Sequence, residues 1–304
     1  AEDFSRHTAL MRLPLTVPLA DARLFNTPPP TQGLASLAIL ALFERLGVAE
    51  AEGFAHLHGM VEATKQAFLL RDRVVTDPAF SGADPQSYLA VDALDRMAGA
   101  IDPRHALPWP APPGGGDTVW LGVIDAAGRA VSMIQSVYFE FGSGVVLPQT
   151  GITWQNRGAS FSLSPHALNP LQPGRRPFHT LNPAMARFTD GRALVYGSMG
   201  GEGQPQTQAA IFSRYAFFKQ PLQQAITAPR WLLGRTWGKD SVSLKLESRV
   251  DPAVVDALRH AGHAVEIVPA FSNLMGHAGM VLRRADGFLE GATDPRSDGA
   301  VAAF

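Results

Sequence analysis

The chain has 304 residues, enough for one large or two ordinary domains, and its 46% hydrophobic and 17% charged residues are typical of a globular protein. A formal net charge of −1 argues against nucleic acid or an anionic membrane as the main partner, and no apolar run approaches the roughly 18 residues that a membrane helix needs. The absence of cysteine excludes disulfides, thiol catalysis and thiolate metal sites but does not fix the compartment.

The first hundred residues have a mainly helical pattern. They begin "AEDFSRH" without Met or a signal peptide, so the chain is processed or upstream sequence is missing, and we favour the cytoplasm over the periplasm. After a break at Thr27–Gly33, apolar residues recur at helical spacing from Leu34 to Leu46, and a second helix is predicted from Phe54 to Phe68. The proline- and glycine-rich segment Asp102–Asp117 predicts a loop.

After this loop the pattern becomes rich in strands. The alternation of apolar residues and the glycine-containing turns predict three hairpins, at residues 118–138, Ala184–Gly197 and Gly279–Asp294. Helices are predicted at Gln206–Phe218 and after a capping Asp251, the second ending at Gly262 before a strand. Strands in runs and helices in separate runs predict a layered α+β fold.

No motif indicates a metal or a cofactor. The histidines of "HLH" (His56 and His58) and the pair His260 and His263 lie outside HExxH and comparable ligand sets, so we expect surface or core residues. The run Gly200–Pro205 is rich in glycine but lacks the Lys-Ser/Thr ending of a phosphate loop. We therefore expect neither a bound metal nor a cofactor.

The approach to Thr118 is the most informative segment. Gly114, Gly115, Gly116 and Asp117 lead directly into the threonine that opens the first hairpin. One interpretation is an ordinary linker entering a strand. The other is a cleavage site that makes Thr118 an N-terminus, where its own α-amine, with a pKa of roughly 7.7–8.0, can serve as the base for its hydroxyl.

A threonine nucleophile also needs groups that stabilise an oxyanion. In "YGSMGGEG" a predicted strand ends at Tyr196, and Gly200 and Gly201 then let backbone N–H groups approach a ligand closely. Taken alone, such a pair of glycines is usually structural.

Taken together, these segments resemble the γ-glutamyltranspeptidase family. The resemblance rests on "DTVWLGVIDAAGRAVS", "FGSGVVLPQTGI", "RRPFHTLNPAM", "GSMGGEGQPQTQ" and "GATDPRSDG", in that order, and upstream on "NTPPPTQGLASLAILALFE". It implies the four-layer αββα sandwich of N-terminal-nucleophile hydrolases, cleavage between Asp117 and Thr118, and acyl transfer to water or an amine.

Position by position, the resemblance assigns three roles. Thr118 matches the nucleophile, Ser136 the hydroxyl residue that hydrogen-bonds it, and Gly200 and Gly201 the oxyanion-hole pair. Trp120 stands where a histidine usually lies two residues after the nucleophile.

The substrate pocket departs from the family pattern. Tyr138 replaces an Asn, Arg157 replaces a Gln, Ser160 replaces the acid that holds the glutamyl α-amine, and His179-Thr180 replaces a Ser-Ser pair. Without that acid a bound ammonium lacks a counter-charge, so the pocket favours an acyl group with a carboxylate and no α-amine. Within the family this resembles the oxamate amidohydrolase branch. The alternatives for Arg157 and Tyr138 are a structural ion pair and core packing.

The resemblance also implies an organisation. Residues 1–117 correspond to the C-terminal part of a large subunit and residues 118–304 to the small subunit, with further large-subunit sequence expected upstream. We expect a small amide as substrate, a heterodimer or dimer of heterodimers from one precursor, and no nucleic-acid or membrane partner. Two alternatives remain: γ-glutamyl transfer or a glutaryl- or cephalosporin-type acylase, and a non-catalytic relative.

Overall fold

The computed structural model describes residues 2–109, 117–234 and 241–304. Its helices are α1 (Glu2–Ser5), α2 (Gly33–Arg45), α3 (Phe54–Val74), α4 (Val91–Gly99), α5 (Gln204–Ala216), α6 (Leu222–Thr227) and α7 (Pro252–His260). Its strands are β1 (Leu15–Pro18), β2 (Ala22–Asn26), β3 (Asp117–Ile124), β4 (Ala130–Tyr138), β5 (Ala184–Phe188), β6 (Ala193–Ser198), β7 (Trp231–Leu233), β8 (Leu244–Glu247), β9 (Val265–Val268), β10 (Ala278–Arg283) and β11 (Leu289–Thr293). Within these ranges, no helix is long and apolar enough to cross a bilayer.

A six-stranded antiparallel sheet forms the centre of the fold, with strand order β1-β2-β5-β6-β10-β11. The predicted hairpins provide its last four strands. Strands β1 and β2, which the sequence pattern did not reveal, extend it by pairing Phe25 with Met185. Residues on both sides of the predicted boundary at 117 therefore belong to one sheet.

Helices α2 and α5 lie on one face of this sheet, and α3 packs against them. Nearly every residue of α2 is buried, because the helix is apolar all round and lies between the sheet and α3, with α5 beside it. Tyr196 of β6 points to this side, with its ring 5.2 Å from that of Phe212 on α5. A small three-stranded sheet, β7-β8-β9, lies beside this layer.

The hairpin β3–β4 covers the other face, against β6 and β10. Its outer side carries Val119, Leu121, Val123, Val131 and Met133, of which Val119 is 56% exposed. The described residues therefore build a helical layer, a large sheet and a hairpin layer, and none of their helices covers the outer side of the hairpin.

Candidate active site

Thr118 lies on β3 opposite a β-bulge. Asp117 pairs with Tyr138 and Val119 pairs with Gln135, so Ser136 and Val137 together oppose Thr118. Bulges re-aim side chains at sheet ends, and this one brings Ser136 Oγ to 3.2 Å from Thr118 Oγ1 and 2.9 Å from the Tyr138 amide. Tyr138 itself has φ +81°, an uncommon conformation for a residue with a side chain.

Trp120 fixes how β3 lies on the large sheet. A Cβ atom on Gly197 would lie 2.1 Å from Trp120 Cδ1, and one on Gly279 2.2 Å from Trp120 Cζ3, so only glycine lets the indole pack this closely. The indole Nε1 donates to Ser132 Oγ at 3.0 Å. Trp120 therefore packs between the two sheets.

The same packing indicates where Thr118 points. A Cβ atom on Gly122 would contact Val195, and Trp120 lies on Gly197, so β3 runs antiparallel over β6. Extending this register by two residues brings Thr118 over the end of β6 at Ser198, and Gly200 and Gly201 follow that end in the sequence.

Gly200 and Gly201 form a turn that a residue with a side chain would adopt only under strain. Their φ angles are +128° and +50°. The Gly203 amide donates to the Gly200 carbonyl at 2.8 Å, and α5 begins at Gln204 with proline in its first turn. The turn therefore stands at a helix N-terminus, where the helix dipole favours a negative charge.

A buried cation, the guanidinium of Arg157, lies beside Tyr138. The Arg157 guanidinium carbon lies 3.8 Å from the centre of the Tyr138 ring, and Arg157 Nη2 donates to Thr180 Oγ1 at 3.2 Å. Arg157 is 3% exposed, and its Nη1 has no hydrogen-bond partner among the described residues. Ser160 Oγ and His179 Nδ1 are likewise buried without a partner in the described chain.

Burial without a bonded carboxylate disfavours charge in this pocket. Burial lowers the pKa of Arg157 to about 10, although Tyr138 and Glu202 oppose the shift. Burial and the neighbouring Arg157 charge lower the pKa of His179 to about 3, so this imidazole is neutral at pH 7. One buried guanidinium surrounded by neutral side chains suits the binding of a single carboxylate.

The predicted site residues thus occupy one connected region. Contacts link Thr118 to Ser136, Tyr138, Arg157 and then Thr180. Ser160 shares a 3₁₀ turn with Arg157 (Arg157–Ser160), and the Gln32 backbone N–H donates to the His179 carbonyl at 3.0 Å. The approach Gly114–Gly116 lies outside the described residues. Asp117 is described only in its backbone, which belongs to β3.

Sequence reasoning missed a buried group that connects this pocket to the glycine turn. Gln32 donates its side-chain amide to the carbonyls of Thr180 and Gly201, and Arg71 bonds both Gln32 and Glu202. Gln32 lies within the "TPPPTQG" break, but that pattern only marks a helix start.

Two histidines and one glutamate lie together, His58 and Glu62 on α3 and His263 just before β9. His58 Nδ1 and His263 Nε2 are 2.9 Å apart, with Glu62 beside them. Lys65 Nζ donates to Glu62 Oε1 at 2.7 Å and to the Leu107 carbonyl at 2.6 Å, so an ammonium already neutralises the carboxylate. The group fastens the segment around Leu107 to α3.

Comparison with known proteins identifies the family. The γ-glutamyltranspeptidase family model matches residues 1–304, and the chain belongs to that family. The chain accordingly has the αββα fold of N-terminal-nucleophile hydrolases, and its described residues build three of the four layers.

Three relatives illustrate the similarity. The chain is 57% identical over 302 residues to the oxamate amidohydrolase proenzyme of Klebsiella pneumoniae and 42% identical over 302 residues to the glutathione hydrolase-like YwrD proenzyme of Bacillus subtilis, in each case covering 99% of this chain and 57% of the relative. The crystal structure of cephalosporin acylase from Bacillus halodurans superimposes with a TM-score of 0.88 at 31% identity, covering 100% of this chain and 55% of that one. The chain thus spans little more than half the length of these relatives.

Proposed function

We propose that this chain carries the nucleophile and acyl pocket of a self-processing amidohydrolase that cleaves a small anionic amide of the oxamate type. The observation that carries the proposal is Arg157, a buried guanidinium with an unbonded Nη1, linked by short contacts to the Thr118–Ser136 pair. A carboxylate on the substrate would supply the counter-charge that the described residues do not bond to it. Similarity to the oxamate amidohydrolase proenzyme supports this substrate class.

Maturation comes first. Thr118 Oγ attacks the carbonyl carbon of Asp117, the peptide N–C bond breaks as an ester forms, and water hydrolyses that ester. The products are an Asp117 carboxylate and a free Thr118 amine. In the sequence, Asp117 directly follows three glycines, the residue type that most readily adopts unusual backbone conformations. The resulting pieces, residues up to 117 and from 118 onward, stay together as the two subunits.

The free amine then serves catalysis. It takes the proton of Thr118 Oγ as the oxygen attacks the amide carbon, and it returns a proton to the departing ammonia. Ser136 Oγ holds the nucleophile, and the backbone N–H groups of Gly200 and Gly201 stabilise the oxyanion. Water hydrolyses the oxalyl ester, so oxamate and water give oxalate and ammonium.

The pocket selects the acyl group. Arg157 binds the carboxylate, Thr180, His179 and Ser160 add hydrogen bonds, and Tyr138 closes the space that a longer chain would need. A γ-glutamyl group would bring an α-ammonium close to the guanidinium of Arg157, where like charges repel.

The experiment uses the full natural chain that contains these residues. Intact mass should show cleavage before Thr118 in the wild type and in Thr118→Ser, which keeps the hydroxyl, and a single uncut inactive chain in Thr118→Ala. Ammonia release from oxamate should exceed turnover of γ-glutamyl-p-nitroanilide. Cleavage of Thr118→Ala would exclude self-processing by this residue. Faster turnover of the γ-glutamyl substrate, or of a glutaryl-cephalosporin, would support the acylase or transpeptidase alternative. No turnover of any amide by the cut protein would support a non-catalytic relative.

A further inference from the structure

Gln32 connects two parts of the proposed site with one side chain. It is fully buried just before α2, and its backbone N–H donates to the His179 carbonyl at 3.0 Å. Its side-chain Nε2 donates to the carbonyl of Thr180 at 2.8 Å and to that of Gly201 at 2.9 Å. Both hydrogens of the amide are therefore used, one on the carboxylate pocket and one on the glycine turn.

Arg71 holds the other end of this amide. Arg71, on α3 and 2% exposed, donates Nη1 to Gln32 Oε1 at 3.2 Å and Nη2 to Glu202 Oε2 at 3.0 Å. Its guanidinium also lies 4.0 Å from the centre of the Phe68 ring. Gln32 cannot rotate its amide without breaking bonds at both ends, so its two donors are fixed in direction.

The glycine turn needs such an anchor. Gly200 and Gly201 enter their positive-φ conformations at little cost, and for the same reason they leave them easily. A donor fixed on the Gly201 carbonyl sets the orientation of the adjoining peptides, on which catalysis by backbone N–H groups depends.

We infer that Gln32 is a positioning residue that fixes the Gly200–Gly201 turn relative to the Arg157–Thr180 carboxylate pocket. This inference rests on the proposed function and deepens it. In oxamate the carboxylate and the scissile carbonyl are directly bonded carbons, so the two subsites must keep one short spacing. A single –NH₂ group that binds both carbonyls holds that spacing. In the sequence, Gln32 comes before the proposed cleavage point and the glycine turn comes after it.

The test compares two buried glutamines. Gln32→Met keeps the volume and loses both donors. The matched control is Gln206→Met, since Gln206 on α5 is equally buried and, among the described residues, its side chain bonds only the backbone of Leu233, at 2.7 and 3.1 Å. Both changes should lower the unfolding midpoint similarly. Only Gln32→Met should lower kcat for oxamate, by about 10- to 100-fold, which is below the roughly 10²- to 10³-fold cost of deleting an oxyanion donor outright.

Three further measurements make the outcome decisive. KM for oxamate should change less than about threefold in Gln32→Met, because Arg157 remains and only transition-state stabilisation is lost. Amide hydrogen exchange of the peptide 199–204 should accelerate in Gln32→Met and stay slow in Gln206→Met. Gln32→Glu keeps the length and the acceptor for Arg71 but loses both donors, so it should reproduce the kcat loss, and it decides the matter if Gln32→Met does not fold.

Two results with an active wild type would overturn this inference and leave the proposed function intact. One is an unchanged kcat in either folded Gln32 variant, and the other is an equal loss of kcat in Gln32→Met and Gln206→Met. An inactive wild type would instead remove the proposed function, and protection of peptide 199–204 would still report whether Gln32 holds the turn.

Discussion

Replacing Arg157 by Met should make the protein more stable and less active. Burial lowers the pKa of Arg157 from its ordinary value near 12.5 to about 10, which corresponds to roughly 3 kcal/mol against the charged form. Arg157→Met keeps an apolar stem against the Tyr138 ring but loses the cation–π contact, worth about 0.5–2 kcal/mol, and the hydrogen bond to Thr180 Oγ1, worth about 1 kcal/mol. The free energy of unfolding of the substrate-free protein should therefore rise, by up to about 2 kcal/mol.

The same change should remove selection for a carboxylate. Loss of a buried charge-assisted pair costs about 2–5 kcal/mol, and each 1.4 kcal/mol is tenfold, so kcat/KM for oxamate should fall by about 30- to 4,000-fold. Oxamide has the same shape without the charge. Wild type should prefer oxamate to oxamide strongly, and Arg157→Met should abolish that preference. Arg157→Lys should be intermediate, since an ammonium cannot make the planar two-point contact.

Urea unfolding at pH 7 and initial rates on both amides test this reasoning. Arg129→Met is the control, because Arg129 forms a surface pair with Asp125 and its side chain is 85% exposed. It should change neither quantity. If Arg157→Met destabilises the protein and leaves the oxamate-to-oxamide ratio unchanged, Arg157 is a structural group and its assignment to the substrate is wrong.

Two further predictions concern the nucleophile and acid stability. Ser136→Ala removes the hydroxyl that lies 3.2 Å from Thr118 Oγ1. We expect kcat to fall about 10- to 100-fold, cleavage before Thr118 to slow, and the unfolding midpoint to stay nearly unchanged. An unaltered kcat would contradict the proposed role of Ser136 in holding the nucleophile. Burial, together with Arg214 for His56 and with Lys65 and His58 for His263, lowers the pKa of both imidazoles to about 3. The pKa of His179 is lowered to the same value, so the unfolded chain binds more protons than the folded one between pH 6.5 and 3. Stability should therefore fall as the pH is lowered through this window, by up to about 4 kcal/mol per pH unit for the three imidazoles. Unfolding curves from pH 7 to 4 should show this slope, and His56→Gln should reduce it by about a third, while a slope that His56→Gln leaves unchanged would refute the assignment.

Local pattern was enough to predict the helices and hairpins that have strong periodicity. The sequence predicted α2 to within a residue at either end and the hairpin β3–β4 nearly to its ends, because apolar spacing and turn glycines act over neighbouring residues. It did not reveal β1 and β2, which have four and five residues and flank the bend at Ala20 and Asp21. Strands this short gain their stability from pairing in the sheet, where β1 pairs with β2 and β2 pairs with the distant β5.

The residues of the candidate site also divide into those that local sequence pattern could predict and those that it could not. Thr118, Ser136 and the two glycines could be named from motifs because each motif is contiguous. The Gln32 bond to Gly201 spans 169 positions and the Arg71 bond to Glu202 spans 131, and no spacing rule connects residues so far apart. Which polar side chain reaches which carbonyl is decided by how the layers pack.

The pairing of β2 with β5 has a consequence for whether the protein can refold after cleavage. These strands lie on opposite sides of the proposed cut, so the piece before it holds two strands of the six-stranded sheet and the piece after it holds four. Before the cut, folding is a unimolecular event; after it, the same structure re-forms only when two molecules meet, and the yield then depends on concentration. The processed protein would therefore persist because it opens slowly rather than because it can readily refold. Dilution after denaturation should leave the uncut Thr118→Ala chain able to recover and the cut wild type unable to do so.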